Sequence, residues 1–237
     1  MSLDVTDSQA ELDAKVKQAL KIYNSIDVLI NNAGYIEAGS IEDITLVASC
    51  NTNQFGPVNL TRSILPHFHQ RKAGTIIFMG SQGEVGAGLY CMGKFGLEGE
   101  EFHKCALDGF TDMIFLAVVE CLQKETSQFG IRTMILEPGY YRTKVCSEAN
   151  VKWAPLSIPE YKPTQTVLKG TPGDPKKSAE RIVDIVRREG LAIGKETPLR
   201  LPLGPDCLQQ IKNKCLSTLK ILEDWEELIT STKLDGK

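Results

Sequence analysis

Short apolar runs alternate with longer stretches of helical apolar spacing, and this alternation constrains the fold more than any other feature of the chain. The apolar runs lie at 27–30, 75–79 and 131–136, and helix-period segments lie at 41–69 and from Tyr90 onward. Strands that alternate with helices in this way belong to parallel sheets, in which each helix crosses over one face. The pattern therefore predicts an α/β fold built on a parallel sheet.

The 237 residues suffice for one sizeable α/β domain, so we expect a single domain over 1–237. Five prolines predict an irregular loop or lid at 140–175. Beyond it we expect a helix at 178–189, a strand at 199–203 and a helical segment at 205–232. The apolar stripe of that last segment either packs on the sheet or joins two subunits.

Composition argues against several classes of partner. The formal net charge is −3 and basic residues are interleaved with acidic ones, so no surface for nucleic acid is expected. The longest apolar run, 113–119, has seven residues, against the ~20 that a membrane-spanning helix needs. Seven cysteines without a C-x-x-C motif indicate reduced thiols, and the first residues do not look like a signal peptide. We therefore expect a cytoplasmic protein with no membrane partner.

Tyr90 and Lys94 are four residues apart, so on a helix they would face the same space. A phenol acts as general acid or base near neutral pH only if its pKa falls from about 10, and a neighbouring ammonium lowers it. The same spacing is also common on solvated helix surfaces. The pair is a candidate for proton transfer, and its meaning depends on the motifs around it.

Several polar motifs accompany this pair. Asn31-Asn32-Ala33-Gly34 follows the first predicted strand, at the carboxyl end where open α/β sheets bind ligands. Asn53 lies in N-T-N-Q-F-G-P, Ser81 follows the next strand, and Thr143 follows the E-P-G motif at 137–139. In this order, these landmarks resemble those of the short-chain dehydrogenase/reductase family, and fungal members most closely.

The resemblance covers residues 3–204 and implies a Rossmann-like, doubly wound parallel sheet. It implies that Tyr90 donates or accepts a proton, that Lys94 lowers the pKa of Tyr90 and holds the nicotinamide ribose, and that Ser81 polarises a substrate carbonyl. Asn53 would hold a water molecule in a proton relay. The implied reaction is hydride transfer between NADP (or NAD) and a small-molecule carbonyl or alcohol, with secondary metabolites as a candidate substrate class.

The resemblance also implies a set of cofactor-binding residues. Asp4 would lie near the adenine, and Thr143 would meet the carboxamide. Each position has a plain structural interpretation as well, such as a helix cap for Asp4 and a turn amide for Asn31. The implied set is Asp4, Asn31, Asn32, Ala33, Gly34, Tyr90, Lys94, Pro138, Gly139 and Thr143, and no metal ligand is implied.

The family's glycine-rich turn, T-G-x-x-x-G-x-G, does not occur in the sequence. Such a turn lets the N-terminus of a helix approach a pyrophosphate. The glycines at 83–88 lie between Ser81 and Tyr90, in the family's catalytic loop, so they do not replace it. We therefore expect an N-terminally truncated sheet in which the apolar strand at 27–30 forms an edge.

Two spacings differ from the family pattern. Ser81 and Tyr90 are nine residues apart, fewer than the family usually has. Conversely, 43 positions separate Lys94 from Glu137, where a helix, a turn and a strand would need only ~25. Removing 100–117 would restore one helix of ordinary length, so we interpret that segment as an insert and hypothesise a retained intron.

Three functions other than an oxidoreductase have some support in the sequence. A catalytically impaired remnant, acting at most as a binding protein, is the main alternative because the glycine-rich turn is missing. A serine hydrolase is disfavoured because the G-x-S-x-G elbow needs glycine where Met79 stands. A metal site at His67 and His69 is disfavoured because histidines share a helix face at i, i+4. For assembly we expect a homodimer or homotetramer.

Overall fold

Strands and helices alternate along the protein, whose computed structural model describes residues 1–40, 42–44, 46–81, 118–147, 150–155, 157–160 and 173–234. In chain order the strands are β1 (Val28–Asn31), β2 (Ile36–Ala38), β3 (Gly74–Met79), β4 (Ile131–Pro138), β5 (Val151–Trp153) and β6 (Arg200–Leu203). The α-helices are α1 (Gln9–Tyr23), α2 (Leu46–Cys50), α3 (Gly56–Arg71), α4 (Val118–Thr126), α5 (Pro175–Arg187), α6 (Pro205–Asp224) and α7 (Glu226–Thr230).

Four strands form one parallel sheet in the spatial order β1-β3-β4-β6. Ile77 of β3 lies at its centre, paired in register with Ile30 of β1 and with Met134 of β4. Helix α3 connects β1 to β3 and helix α5 connects β4 to β6, as parallel strands require. The α/β fold with a parallel sheet that the sequence predicts is confirmed.

Helices cover both faces of this sheet. Alternate residues of a strand point to opposite faces, so Ile76 and Phe78 pack with α1, α3 and α4, whereas Ile77 packs with α5. Burying a side chain as large as Phe78 stabilises the fold by about 1.5–3 kcal/mol. The sheet is therefore doubly wound, as the family resemblance implies.

Helix α1 begins at a capping box. The Ser8 hydroxyl accepts a hydrogen bond from the backbone of Glu11, and the Glu11 carboxylate accepts one from the Ser8 backbone N–H at 2.9 Å. Asn24, in the left-handed conformation with φ 59°, ends the helix. The buried face of α1 carries Leu12 and Val16, which contact the main core.

The helical segment expected at 41–69 is interrupted. A π-helical turn, Asn51–Phe55, separates α2 from α3, and the Gly56 N–H donates to the Asn51 carbonyl five residues back. Pro57 has no N–H for the Asn53 carbonyl, so the regular α-helical ladder cannot continue through this point. The sequence predicted the helix but not this break.

A second, two-stranded sheet joins the loops that follow the main strands. Strand β2 pairs in parallel with β5, with Ile36 opposite Val151. Strand β5 lies inside the region 140–175, which also contains a 3₁₀ turn at Lys144–Cys146 and a bridge between Tyr141 and Gly173. Helix α5 begins earlier than expected because Asp174 caps it and Pro175 occupies its first turn.

The outer parts of the structure are less buried. Strand β1 is an outer strand of the sheet, and Ile30 is 44% exposed. In α6 only Cys207 is buried. None of the helices in the described ranges is long and apolar enough to cross a membrane. Tyr90, Lys94 and the expected insert at 100–117 lie outside those ranges.

Candidate active site

The carboxyl ends of β1, β3 and β4 meet at one edge of the sheet. Asn31 ends β1 and pairs with Phe78, and Met79 ends β3 and pairs with Leu136. Because the strands are parallel and in register, the segments 31–34, 80–81 and 138–139 all leave the sheet at this edge. Open α/β sheets bind their ligands there. The structure thus brings together three of the predicted site segments.

Asn31 is buried at this edge and has one unsatisfied atom. Its side-chain amide donates to the Thr61 hydroxyl of α3 at 3.1 Å. Its side-chain oxygen accepts no hydrogen bond from any residue that the structure describes. An unpaired buried acceptor costs about 1–3 kcal/mol, so this oxygen is suited to a hydrogen-bond donor of a ligand. Asn32, Ala33 and Gly34 follow it and are exposed.

Asn53 clamps the chain just beyond this turn. It lies fully buried in the π-helical turn, and its side-chain oxygen accepts from the Tyr35 N–H at 3.2 Å. Its side-chain amide donates to the Tyr35 carbonyl at 3.0 Å and to the Ser49 hydroxyl at 3.3 Å. Both ends of the Asn53 amide therefore fix the backbone that follows Gly34.

Ser81 lies two residues beyond β3. The Gly80 N–H donates to the Leu136 carbonyl at 2.7 Å, which continues the pairing with β4 past the end of the strand. This bond fixes the direction in which Ser81, half-buried, leaves the sheet. The two residues that the family resemblance pairs with it, Tyr90 and Lys94, are outside the described residues.

Two other phenols near this edge are held in their protonated form. The Tyr35 hydroxyl donates to the Glu37 carboxylate at 3.4 Å, and burial, reinforced by the Glu37 charge, raises the pKa of Tyr35. The Tyr141 hydroxyl donates to the Leu203 carbonyl at 2.9 Å, and burial raises the pKa of Tyr141. A raised pKa opposes proton exchange near neutral pH, so neither phenol is suited to acid–base catalysis.

The turn at Pro138 and Gly139 rests on the start of α6. The Gly139 N–H donates to the Leu203 carbonyl at 2.8 Å, and the Asp206 carboxylate accepts from the Tyr140 N–H at 2.6 Å. A Cβ atom on Gly139 would overlap the Asp206 carboxylate. Glycine is therefore required at 139 by close packing on a helix N-terminus.

Asp4 and Thr143 both make local contacts. The Asp4 carboxylate accepts from the Thr6 N–H at 2.9 Å and from the Thr6 hydroxyl at 2.7 Å, and these bonds lower the pKa of Asp4. The Thr143 hydroxyl accepts from the Val145 N–H at 3.3 Å and caps the 3₁₀ turn. The Thr143 hydroxyl proton is not used by that bond, and the side chain is exposed.

The two histidines considered for a metal lie in different surroundings. The His67 ring nitrogen is 3.2 Å from the Ile26 carbonyl, and the His69 ring packs against Phe129 at a tilt of 57° with centroids 4.7 Å apart. No group of three or more potential metal ligands occurs within the described ranges.

Comparisons with known proteins agree with this arrangement. The sequence profile of the short chain dehydrogenase family matches residues 1–153. Oxidoreductase BOA17 of Botryotinia fuckeliana is 31% identical over 236 residues, which cover 96% of this chain and 79% of that protein. The chain therefore belongs to the short-chain dehydrogenase/reductase family, and the family identifies it as a dehydrogenase or reductase.

Solved structures show the same fold. A short-chain dehydrogenase from Streptomyces avermitilis superimposes with a TM-score of 0.78 at 30% identity, covering 99% of this chain and 80% of that one. A gluconate 5-dehydrogenase from Burkholderia cenocepacia, solved with NADP and tartrate, superimposes with a TM-score of 0.51 at 20% identity. That second match covers 61% of this chain and 52% of the other, and supports the fold alone.

Two parts of the site were not found from the sequence. Asp206 supports the turn at Gly139 across 67 positions of sequence, although the Gly204-Pro205-Asp206 string has the composition of a helix start. The clamp of Asn53 on Tyr35 depends on the π-helical turn. Only the proline at 57 could have suggested that irregularity.

Proposed function

We propose that the protein is an NAD(P)-dependent oxidoreductase that transfers hydride between a nicotinamide and a carbonyl or alcohol. The observation that supports this most is the meeting of segments 31–34, 80–81 and 138–139 at one sheet edge. NADP is the cofactor we favour, on the resemblance to the reductase members of the family. The cofactor supplies the hydride, and the protein supplies orientation and proton transfer.

Four residues carry the proposed proton chemistry. Tyr90 gives a proton to the carbonyl oxygen or takes one from the alcohol, and Lys94 lowers the pKa of the Tyr90 phenol. Ser81 donates a hydrogen bond to the same oxygen and stabilises its developing charge. Asn53 holds a water molecule of the proton relay and fixes the neighbouring backbone through Tyr35. Tyr35 and Tyr141 have raised pKa values, so neither of these two phenols competes with Tyr90 for the acid–base role.

The residues at the sheet edge fit the polar parts of a nicotinamide dinucleotide. The open Asn31 oxygen can accept a hydrogen bond from a ribose hydroxyl, and the exposed Thr143 hydroxyl can donate to a carboxamide. Asn32, Ala33 and Gly34 leave the approach free of large side chains. In the turn of Pro138 and Gly139, position 139 has no room for a Cβ. Lys94 on the ribose and Asp4 near the adenine complete the proposed set.

The proposed substrate is a small molecule with an apolar or aromatic body, and secondary metabolites are the candidate class. Trp153 of β5 is 47% exposed and lies in the loop region that follows the Pro138 turn. An exposed aromatic ring is suited to contacting an apolar ligand. We expect Trp153→Ala to raise KM with little change in kcat.

We also propose that the protein is cytoplasmic. Among the described cysteines, Cys50 and Cys207 are buried and Cys121 and Cys215 are not, and all four are thiols outside any disulfide. Free cysteines are typical of a reducing compartment. Labelling of the purified protein with a thiol reagent under denaturing conditions, compared before and after reduction, would test for disulfides.

The first experiment is cofactor binding by the chain itself. Titration with NADPH and with NADH, followed by cofactor fluorescence and thermal shift, should give binding near the micromolar range, tighter for NADPH. No binding by a folded chain would contradict the proposal and favour the impaired remnant that acts as a binding protein.

The second experiment tests the chemistry. Tyr90→Phe should lower kcat about 10²–10⁴-fold with little change in cofactor affinity, because only the proton transfer is removed. Tyr35→Phe is the matched control, since it removes a phenol whose proton is held by Glu37. Retained turnover in Tyr90→Phe would contradict the assignment.

A further inference from the structure

Glu137 is a buried carboxylate at the carboxyl edge of the sheet, outside the proposed set of site residues. It directly precedes Pro138 and Gly139, which form the proposed cofactor turn, and its side chain is 1% exposed. A buried carboxylate is costly unless other groups bind it. What binds Glu137 therefore bears on how this turn is held.

Arg200 of β6 binds one oxygen of this carboxylate. Its guanidinium donates to Glu137 Oε1, and the Arg200 side chain remains 41% exposed. In the sheet Arg200 lies opposite Ile135. Glu137 is two residues further along β4, so the bond runs diagonally between the two strands. Because a charge-assisted bond of this kind adds geometric specificity, the pair fixes the end of β4 relative to β6 along the strand direction.

The other oxygen of the Glu137 carboxylate has no partner in the described part of the chain. Glu137 Oε2 is buried and accepts no hydrogen bond from those residues. A buried ion pair that satisfies only half of a carboxylate contributes little net stability, because the desolvation of the two charges offsets their attraction. We expect the consequence of this pair to lie in geometry rather than in stability.

Two backbone groups of the same segment are bound to β6 and to the start of α6. The Gly139 N–H donates to the Leu203 carbonyl of β6 at 2.8 Å. The Cys207 thiol of α6 donates to the Glu137 carbonyl at 3.1 Å. Both bonds depend on how the end of β4 lies against β6 and the helix that follows it. The ion pair of Glu137 with Arg200 fixes that relative position.

We propose that Glu137 is a positioning residue for the cofactor. Its ion pair with Arg200 holds Pro138 and Gly139 against β6, so the backbone of the turn is already in place when the cofactor binds. Binding then requires no ordering of the turn, and this preorganisation raises the affinity. This role rests on the proposed function, which assigns both turn residues to the cofactor.

The test compares NADPH binding by Glu137→Gln and by wild type, measured by cofactor fluorescence. The amide keeps the shape of the side chain but removes its charge, so the bond to Arg200 weakens. We expect the Kd for NADPH to rise about tenfold, because the turn is no longer held in advance. Asp27→Asn is the matched control, since it weakens the ion pair that joins Arg71 to Asp27 at 2.6 Å at the opposite edge of the sheet. Its Kd for NADPH should stay within about twofold of wild type.

A double variant separates positioning from stability. Glu137→Leu combined with Arg200→Leu replaces the ion pair by apolar side chains, a change that often leaves stability equal or higher. Its melting temperature without cofactor should be close to that of wild type, whereas its Kd for NADPH should still be raised about tenfold. Circular dichroism checks that each variant is folded. Wild-type affinity in a stable double variant would overturn the proposal.

Amide hydrogen exchange tests the turn without any cofactor. The N–H groups of Gly139 and Tyr140 are both hydrogen-bonded, and they should exchange about tenfold faster in Glu137→Gln than in wild type. The Thr75 N–H, which donates to the Asp27 carbonyl at the opposite edge, should exchange at an unchanged rate.

The two readouts distinguish the possible failures. Binding of neither NADPH nor NADH by wild type would contradict the proposed function, and the exchange rates would still decide whether the ion pair holds the turn. If wild type binds NADPH, an unchanged Kd in Glu137→Gln or unchanged exchange at Gly139 would overturn the positioning role alone.

Discussion

Helices α3 and α6 have similar apolar patterns but differ in what covers them. In α3 the apolar side chains Leu60, Ile64 and Phe68 are 8%, 2% and 0% exposed, packed on the sheet and on α1. In α6 the corresponding stripe is more than half exposed, and only the first turn is buried. Apolar periodicity therefore predicts a helix and its apolar side, but whether this chain or another covers that side is decided by topology.

The comparison also divides α6 into two parts. Its first turn belongs to the candidate site, because the Cys207 thiol donates to the Glu137 carbonyl at 3.1 Å and Asp206 holds the Tyr140 N–H. The rest of the helix makes little contact with the sheet. Substitutions in the two parts should therefore differ in both size and kind of effect.

The largest effect is expected for Phe68→Ala in α3. Phe68 is fully buried and touches Gly74, where a Cβ would overlap its ring, so truncation leaves a cavity in the main core. We expect a loss of about 3–5 kcal/mol in the free energy of unfolding, measured by urea denaturation.

Phe129→Ala is the matched aromatic control for that measurement. Phe129 is 37% exposed and contacts the His69 ring at the surface, so its truncation should cost much less. Equal losses for the two variants would contradict the expectation that the buried ring of Phe68 contributes more stability than the exposed ring of Phe129.

The next effect in size is expected for Asp206→Ala, at the buried start of α6. It removes the acceptor of the Tyr140 N–H, and an unpaired amide in this partly buried turn costs about 1–3 kcal/mol. Because the turn at Gly139 rests on Asp206, cofactor affinity should weaken as well. Asp206→Asn keeps an acceptor and should retain more of both quantities. Identical losses for the two variants would assign the effect to charge rather than to the hydrogen bond.

These contrasts show which parts of the fold could be predicted. The strands at 27–30, 75–79 and 131–136 are short bounded runs in the sequence, and their parallel pairing fixes where Asn31 and Ser81 emerge. The pairing of β2 with β5 joins three-residue strands more than a hundred positions apart, with no local signal in either. Asp206 and Asn53 act through tertiary contacts, and a single sequence does not specify those. The roles of Tyr90 and Lys94 stay predictions.

A smaller, pH-dependent effect is expected where α1 meets α3. The Asp13 carboxylate accepts from the Ser63 hydroxyl at 2.7 Å and from the Gln9 amide at 3.0 Å, and these two bonds lower the pKa of Asp13. A lowered folded-state pKa means that this stabilisation is present above the unfolded-state pKa of about 3.9 and is lost as the pH falls through the folded-state value.

Asp13→Asn should therefore reduce stability more at about pH 6 than at a pH below the folded-state pKa, where wild-type Asp13 is protonated as well. Urea denaturation at the two pH values measures the difference. Asp224→Asn is the control on α6, where the exposed ion pair with Lys220 contributes little. A cost for Asp13→Asn that is the same at both pH values would show that shape, not charge, matters at this contact.

The smallest effect is expected for Leu222→Ala, and it depends on protein concentration. Leu60→Ala in α3 makes the same chemical change at a buried position and should cost about 2–5 kcal/mol at any concentration. Leu222 is 51% exposed, so at about 1 µM its truncation should change the free energy of unfolding by no more than about 0.5 kcal/mol.

If α6 pairs with a second copy, wild type should gain stability as concentration rises, because association stabilises the folded state by mass action. Leu222→Ala should gain less, so the gap between the two midpoints should widen with concentration. A large cost already at about 1 µM would show that the chain itself covers this face, and α6 would then join α3 as a core helix.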